Sequence, residues 1–355
     1  MAAVTGGAGF IGEALCRRLV ESKEYDCVVA LARKMPTEPL PGVDYVLGDV
    51  TDFNSVRLLT RQARAVFHLA SIIKYSKKDR AEMDAVNVKG TENVARACIE
   101  NQVSVMVLVS SMAAIGANDS ESDPPLEEDS RFTLSHLNLG YFETKRAAEQ
   151  VLFQLCEEFT SNLSTRFVIV NPTNVYGAGD ALKDSRSTQL KTAQGRFPFY
   201  SSGGVNIVHI GDVVDGIILA EKKGKHLQRY ILGGDNIKIK DLLAIVAREG
   251  GSSPPWIWLP TIFMMALGWF GVLPYEKVRV ASMYFWYSSA KAKRDLGYEP
   301  KPAEFALKES VAWMKKHFPA NSFKRTDASR RLLIKISAVL TVIIASVSFA
   351  VMKRH

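Results

Sequence analysis

The sequence predicts a doubly wound parallel α/β sheet, and three observations carry that prediction. A short apolar run at the N-terminus leads directly into Gly6, Gly9 and Gly12. Apolar strand-like runs then alternate with helical stretches, and at 355 residues the chain is long enough to bury a large core. Candidate strands cover residues 2–4, 28–31, 45–47, 65–69, 105–110 and 167–170. Helices fill the gaps, for example over 11–20, 83–100 and 141–159. The acidic, proline-containing stretch 119–129 (DSESDPPLEED) reads as a surface loop, and no internal repeat is present.

The glycines give the first element a function. Spaced three apart between a strand and a helix, they let the backbone approach a dinucleotide pyrophosphate. The phosphates then sit against the free N–H groups and positive end of the helix. The spacing is G-x-x-G-x-x-G rather than the commoner G-x-G-x-x-G, so it is the strand–loop–helix context that makes this a Rossmann-type nucleotide site. With the loop so near the first residue, no cleaved leader is expected ahead of it.

Charge and cysteines narrow the class. Cys16, Cys27, Cys98 and Cys156 show no metal-like spacing; three fall in helical patterns and Cys27 in a strand, which predicts reduced thiols and no metal site. The net charge of +8 is concentrated at one end: residues 321–355 hold seven Lys/Arg and one Asp. The body is nearly neutral, which argues against a nucleic-acid partner and for a membrane surface.

Three further constellations carry chemistry. Tyr141 and Lys145 stand four apart in a helical stretch and share a face, so an ammonium can lower the phenol pKa and let it exchange protons near neutral pH. Ser111, thirty residues earlier, follows an apolar strand and faces the crevice where such a sheet binds ligand. The third is Asn171-Pro-Thr-Asn-Val-Tyr-Gly177, after another strand. Alone, each has a plain structural explanation: a solvated helical pair, a capping serine, a proline turn.

In this order and spacing they resemble the extended short-chain dehydrogenase/reductase superfamily. The resemblance rests on TGGAGFIG (5–12), GDVTD (48–52), HLAS (68–71), NVKGTENV (87–94), SSMAAIG (110–116), YFETK (141–145), NPTNVYG (171–177) and NIVHIGDVVDGIILA (206–220). YILGGDN (230–236) and YSSAKAKRDLGYEPKP (287–302) are similar to the dihydroflavonol-4-reductase-like and 3β-hydroxysteroid dehydrogenase branch, which includes plant farnesol dehydrogenase. The match spans about residues 1–317. It implies Tyr141 as general acid/base, Lys145 as the group that tunes it and binds ribose, and Ser111 as the hydroxyl that orients the substrate oxygen. It also implies cofactor contacts from Thr5, Gly6, Gly9, Phe10, Ile11 and Gly12, with Asp49 and Val50 bordering the adenine. Leu69, Ala70 and Ser71 would line the cleft, and Pro172 and Val175 would flank the nicotinamide. Asn87 is expected to fix its local helix, and His68 and His209 to pack or hydrogen-bond rather than catalyse.

Arg33 and Lys34 end the second strand, where a basic residue accommodates a 2′-phosphate; they lean towards NADP(H) and leave NAD(H) open. Residues 256–273 (WIWLPTIFMMALGWFGVL) are uncharged and aromatic-rich, but Pro260 argues against a straight spanning helix. They read as a buried helix of a small lobe or as an apolar lid or interfacial helix. Residues 332–352 form an apolar stretch interrupted only by Lys335, and at ~1.5 Å per residue they reach about 32 Å, the thickness of a hydrocarbon core.

The expected organisation is therefore a nucleotide-binding core (1–175), a substrate lobe interleaved with the last core elements (176–320), a basic linker (321–331) and a C-terminal transmembrane helix (332–352). The catalytic body would face the cytosol, with the endoplasmic reticulum as the leading location, and a homodimer is compatible with the sequence. The expected activity is hydride transfer between a nicotinamide and a lipophilic alcohol or ketone of sterol, isoprenoid or flavonoid type. A nucleotide-sugar epimerase or dehydratase is the first alternative, since it uses the same Ser-Tyr-Lys machinery but gives no reason for an apolar helix and anchor. A non-catalytic nucleotide-binding module is the second, and it has no need of Ser111, Tyr141 and Lys145 together.

Overall fold

The computed structural model describes residues 1–74, 77–137, 139–159, 163–180, 186–269, 278 and 280–318. The first half builds β1 (Ala2–Thr5), α1 (Phe10–Ser22), β2 (Val28–Ala32), β3 (Val43–Leu47), α2 (Phe53–Thr60) and β4 (Ala65–His68). It continues with α3 (Arg80–Met83), α4 (Gly90–Glu100), β5 (Val105–Val109), α5 (Gly140–Glu158) and β6 (Arg166–Pro172). The second half adds β7 (Asn174–Tyr176), α6 (Ser187–Ala193), β8 (Phe199–Ser201), β9 (Gly204–His209), α7 (Ile210–Lys223) and β10 (Arg229–Leu232). Then come β11 (Asp235–Lys238), α8 (Ile239–Gly250), β12 (Ile257–Leu259), α9 (Thr261–Trp269), β13 (Tyr284–Phe285), α10 (Ala290–Leu296) and α11 (Ala303–His317).

Seven parallel strands form the main sheet in the order β10-β6-β5-β4-β1-β2-β3. The strands are apolar because helices cover both faces. Side chains alternate between two buried clusters: Ala2 and Val4 point into one with Leu15 and Leu19 of α1 and Ile217 of α7. Ala3 points into the other, with Val94 and Cys98 of α4 and Leu152 of α5. The chain runs outward from β1 to β3 and returns to β4 on the opposite side of β1. That reversal opens a crevice at the C-terminal ends of β1 and β4, where such sheets bind ligands.

β7 and β11–β13 are not legible as alternating runs, because each is only two to four residues long. β9 pairs antiparallel with β11 and parallel with β7 and β13, while β12 pairs with β8. α6, α8 and α11 pack with this second layer around Leu242, Val246, Leu307 and Val311. β10 returns to the main sheet, so late sequence completes the early core.

Several sequence expectations need correcting. The helix expected over 83–100 is three pieces, α3, a π-helical turn at Asp84–Lys89, and α4. The extra residue per turn lets Asn87 point away from the helix axis to neighbouring segments. Cys27 lies just before β2 rather than in it; all four cysteines are free, and burial raises the thiol pKa of Cys16, Cys98 and Cys156. The 119–129 stretch is a loop, yet Glu128 is buried and its Oε1 accepts from the Ile231 amide at 2.9 Å, covering the free edge of β10. Residues 256–269 are not one helix: Pro260 separates β12 from the nine-residue α9. Among the described residues no helix is long and apolar enough to cross a membrane. The helix expected at 332–352 and its basic linker lie outside the described residues.

Candidate active site

The glycine loop is built for close approach. Gly6 has φ +72°, a conformation that favours glycine, and a Cβ there would lie 2.7 Å from the Ala70 nitrogen. A Cβ at Gly12 would lie 2.1 Å from the Gly6 carbonyl oxygen, so α1 can press onto the loop only with glycine at this position. Gly9 caps α1 without a side chain, and its carbonyl accepts from the Glu13 amide at 2.7 Å. No side chain caps the first turn of α1, and the amides of a helix's first turn have no intrahelical acceptor. An anion is the natural partner for such a helix end.

A cleft of about 630 Å³ opens above this loop. Gly6, Gly9, Arg33, Asp49, Val50, Leu69, Ala70 and Ser71, all named from the sequence, line it. So do Ala8, Leu31, Ala32, Lys34, Gly48, Ile72 and Val86. Arg33 and Lys34 are exposed at the end of β2, and Asp49 is held by the Thr51 amide and hydroxyl, both at 2.9 Å. Of the remaining residues in the loop prediction, Phe10 and Ile11 pack against the core and Thr5 is buried beneath. Thr5 Oγ1 is 2.6 Å from His68 Nδ1 and accepts from the Ala70 amide at 3.3 Å, so it supports the cleft floor rather than lining it.

Tyr141 and Lys145 stand one turn apart near the start of α5. Tyr141 is half-buried and belongs to the apolar cluster formed by Met112, Ala113, Phe142, Phe285 and Tyr287. Lys145 is 5% exposed, and its Nζ donates to the Val109 carbonyl at 3.2 Å. Burial pulls its pKa down to about 8, against the opposing field of Glu149. Ser111 follows β5 in extended backbone, and its Oγ accepts from the Ala113 amide at 3.1 Å. It therefore does cap a short 3₁₀ turn, and α5 packs against that same turn. Ser111, Tyr141 and Lys145 are thus brought to one side of the β5 exit.

Other sequence-named residues fall outside the cleft lining. Pro172 ends β6 opposite Leu232, and Val175 pairs with Val208; both are buried. Asn87 does more than fix its own helix. Its Oδ1 accepts from the Ile72 amide at 2.8 Å, and its Nδ2 donates to the Ile72 carbonyl and to Thr144 Oγ1, each at 3.1 Å. It ties the exit of β4 to α5 beside Lys145. His68 is buried, held neutral with its pKa pushed down to about 3 by burial and by Lys145, and His209 caps α7 through its own ring nitrogen. Among the described residues no cluster of metal-ligating side chains occurs.

A glycine-cradled cleft at the switch point of a parallel sheet, with Ser, Tyr and Lys gathered at the end of β5, is the arrangement of an extended short-chain dehydrogenase/reductase, and the family model and relatives set the chain in the dihydroflavonol 4-reductase/3β-hydroxysteroid dehydrogenase branch. The chain belongs to the 3-beta hydroxysteroid dehydrogenase/isomerase family, whose model matches residues 3–235. It is 28% identical over 333 residues to a putative dihydroflavonol 4-reductase of Synechocystis sp., covering 88% of this chain and 94% of that one. Sterol demethylase protein B of Methylococcus capsulatus is 26% identical over 330 residues, with 88% and 97% covered. Among solved structures, gox2253 superposes with a TM-score of 0.78 at 30% identity, covering 91% of this chain and 99% of that one. DesIV of Streptomyces venezuelae, a dTDP-glucose 4,6-dehydratase solved with NAD and TYD bound, superposes at 0.73 with 21% identity over 89% and 97% of the two chains. That last likeness is one of fold.

Proposed function

We propose that this oxidoreductase interconverts a lipophilic alcohol and its ketone or aldehyde, using NADP(H) in preference to NAD(H). The observation that carries this reading is the buried Lys145 ammonium one helical turn from the half-buried Tyr141 phenol. The cleft fits a dinucleotide by its own residues: Gly6 and Gly9 line it without side chains, Gly9 is the N-cap of α1 and so brings the positive end of that helix to it, and Arg33 with Lys34 offer positive charge for a 2′-phosphate. A nicotinamide bound there supplies or accepts the hydride. Tyr141 gives up or takes the proton at its phenol oxygen, and Lys145 favours the phenolate form by its charge. Ser111 orients the substrate oxygen through its hydroxyl. Met112 and Tyr141, both half-buried, lie at the edge of an apolar cluster that includes the buried Phe142 and Phe285, surroundings that suit a substrate with little polar surface.

A membrane setting is part of the same proposal. Trp256, Trp258 and Ile262 are 76%, 55% and 80% exposed, and tryptophan is a residue of membrane interfaces. Lys315 Nζ donates to the Glu249 carbonyl at 3.3 Å, so the last described helix ends beside the stretch that leads into Trp256. The apolar residues 332–352 follow in sequence, and a membrane anchor formed by them would act together with the exposed tryptophans at a bilayer surface.

The test is a turnover screen of the detergent-solubilised full chain. Reduced and oxidised NADP and NAD would be offered with sterol, isoprenoid and flavanonol panels, and UDP-sugars as controls. Turnover of a lipophilic substrate, lost by about 10²–10⁴-fold in Tyr141→Phe with nucleotide binding retained, supports the proposal. Turnover confined to UDP-sugars overturns the substrate class.

A further inference from the structure

We propose that Glu149 and Asn171 are positioning residues that hold the two halves of the catalytic site, Ser111 on the β5 exit and Lys145 on α5, in one fixed arrangement. This rests on the reading of Ser111, Tyr141 and Lys145 given above. Glu149 is fully buried, one turn beyond Lys145 and two turns beyond Tyr141 on α5, so the three share a helix face. Its Oε1 accepts from Asn171 Nδ2 at 2.7 Å, and its Oε2 lies 2.6 Å from Arg229 Nη2. Asn171, also fully buried near the end of β6, uses the same Nδ2 to donate to the Ser111 carbonyl at 3.0 Å. One amide group therefore connects the backbone of the catalytic serine to the helix that carries the catalytic tyrosine and lysine. Arg229 opens the edge strand β10 and donates its other terminal nitrogen to the Glu128 carbonyl at 3.0 Å, which locks the set from outside.

Packing alone does not call for these residue types. A buried carboxylate–guanidinium pair loses so much hydration that an apolar replacement of the same volume is often as stable. Charge and directed hydrogen bonds at this place serve the neighbours instead. The titratable groups around Lys145 are Tyr141 and Glu149 on its own helix and His68 on β4. His68 is neutral, and Glu149 is the carboxylate whose field offsets the burial of the ammonium. Arg146, the next residue, lies over the Phe132 ring with its guanidinium carbon 4.8 Å from the centroid.

The experiment compares the full-length wild type with Asn171→Ala, Glu149→Gln and the double variant Glu149→Gln/Arg229→Gln. The double variant removes both buried charges, so a merely orphaned arginine does not mask the result. Two properties are followed against pH: kcat, and NADPH binding read by the fluorescence of the nucleotide. With Glu149 neutralised, Lys145 loses its proton more readily, so the alkaline decline of both properties moves to lower pH by about one unit. Asn171→Ala is expected to lower kcat about tenfold while KM for the nucleotide stays within about twofold, since the serine shifts and the cleft does not. Superimposable pH profiles in the wild type and the double variant, or an unchanged kcat in Asn171→Ala, overturn the proposal. A shifted NADPH-binding profile in a protein that turns over none of the lipophilic panel sinks the substrate reading and leaves the positioning pair standing.

Discussion

Lys145 Nζ donates to the Val109 main-chain oxygen at 3.2 Å, joining α5 to the C-terminal end of β5 in an almost fully buried place. An ammonium in such surroundings is held at a cost to folding. Its pKa is about 8 in the folded chain against an ordinary 10.5. Between those values the unfolded chain binds more protons, so stability rises with pH across that window, by roughly 3 kcal/mol as an order of magnitude. In Lys145→Met this rise is expected to disappear, while turnover near neutral pH falls by about 10²–10³-fold. Denaturant unfolding at a series of pH values, beside initial rates, reads both. An unchanged stability slope in the variant means that folding does not lower the pKa of the lysine.

Gly12→Ala tests the cradle. The new Cβ would stand 2.1 Å from the Gly6 oxygen and 2.9 Å from Gly7 Cα, both backbone atoms that cannot swing aside. α1 must move off the loop, at a cost of about 1–3 kcal/mol or more. Weakened nucleotide binding and a lower melting temperature are expected together. Wild-type affinity in a properly folded Gly12→Ala protein would show that phosphates do not bind at this loop.

The positions of the central strands along the chain were legible because β1, β2, β4, β5 and β6 are buried on both faces and keep a continuous apolar run, whereas their order in the sheet was not read from the sequence. Observed and expected bounds there differ by a residue or two. β7 and β11–β13 left no such trace, since strands this short carry no period. The cleft was legible where backbone constraints write themselves as glycine, at Gly6 and Gly12. It was less so at Ile72 and Val86, which any apolar residue could occupy. Glu149 sits one turn after Lys145 and so had a local signal, but Arg229, its partner, comes from a strand eighty residues further on. Nothing local marks a residue whose role is created by the fold. Pro172 and Val175, assigned from motif likeness, are buried in strand pairings.

Arg33 and Lys34 lie exposed along the cleft at the end of β2. A charge-assisted contact with a 2′-phosphate contributes about 1.5–3 kcal/mol, or about 10–100-fold in affinity. Arg33→Asp is therefore expected to raise KM for NADPH by that factor and leave NADH equal or better, because a carboxylate can accept from a free ribose hydroxyl. Steady-state kinetics with both nucleotides decide it. Equal losses for NADPH and NADH would mean that Arg33 does not read the 2′ position.

The hydrogen bonds around His68 assign its tautomer and predict how acid affects the fold. Thr91 Oγ1 donates to the Asn87 carbonyl at 2.6 Å, so its hydroxyl proton is taken, and toward His68 Nε2, 3.0 Å away, it accepts. Nε2 therefore carries the proton. Nδ1 is left as the acceptor for the Thr5 hydroxyl at 2.6 Å, while Thr5 Oγ1 itself accepts from the Ala70 amide. A proton added at Nδ1 would face the hydroxyl proton of Thr5 and break the chain that links the glycine loop to Asn87. Burial and the Lys145 charge oppose it as well, which puts the folded pKa at about 3 against an ordinary 6.5. Between those values the unfolded chain takes up the proton and the folded chain does not. His68 thus makes stability fall as pH drops through that window, by several kcal/mol at most, roughly 1.4 per pH unit. His68→Gln keeps one donor and one acceptor in the same place without the titration. Its unfolding free energy is expected to be flatter than that of wild type across the same window, with nucleotide binding preserved at neutral pH. An identical pH dependence in the two proteins would mean that His68 takes up its proton in the folded state, and the neutral tautomer assigned to it would be wrong.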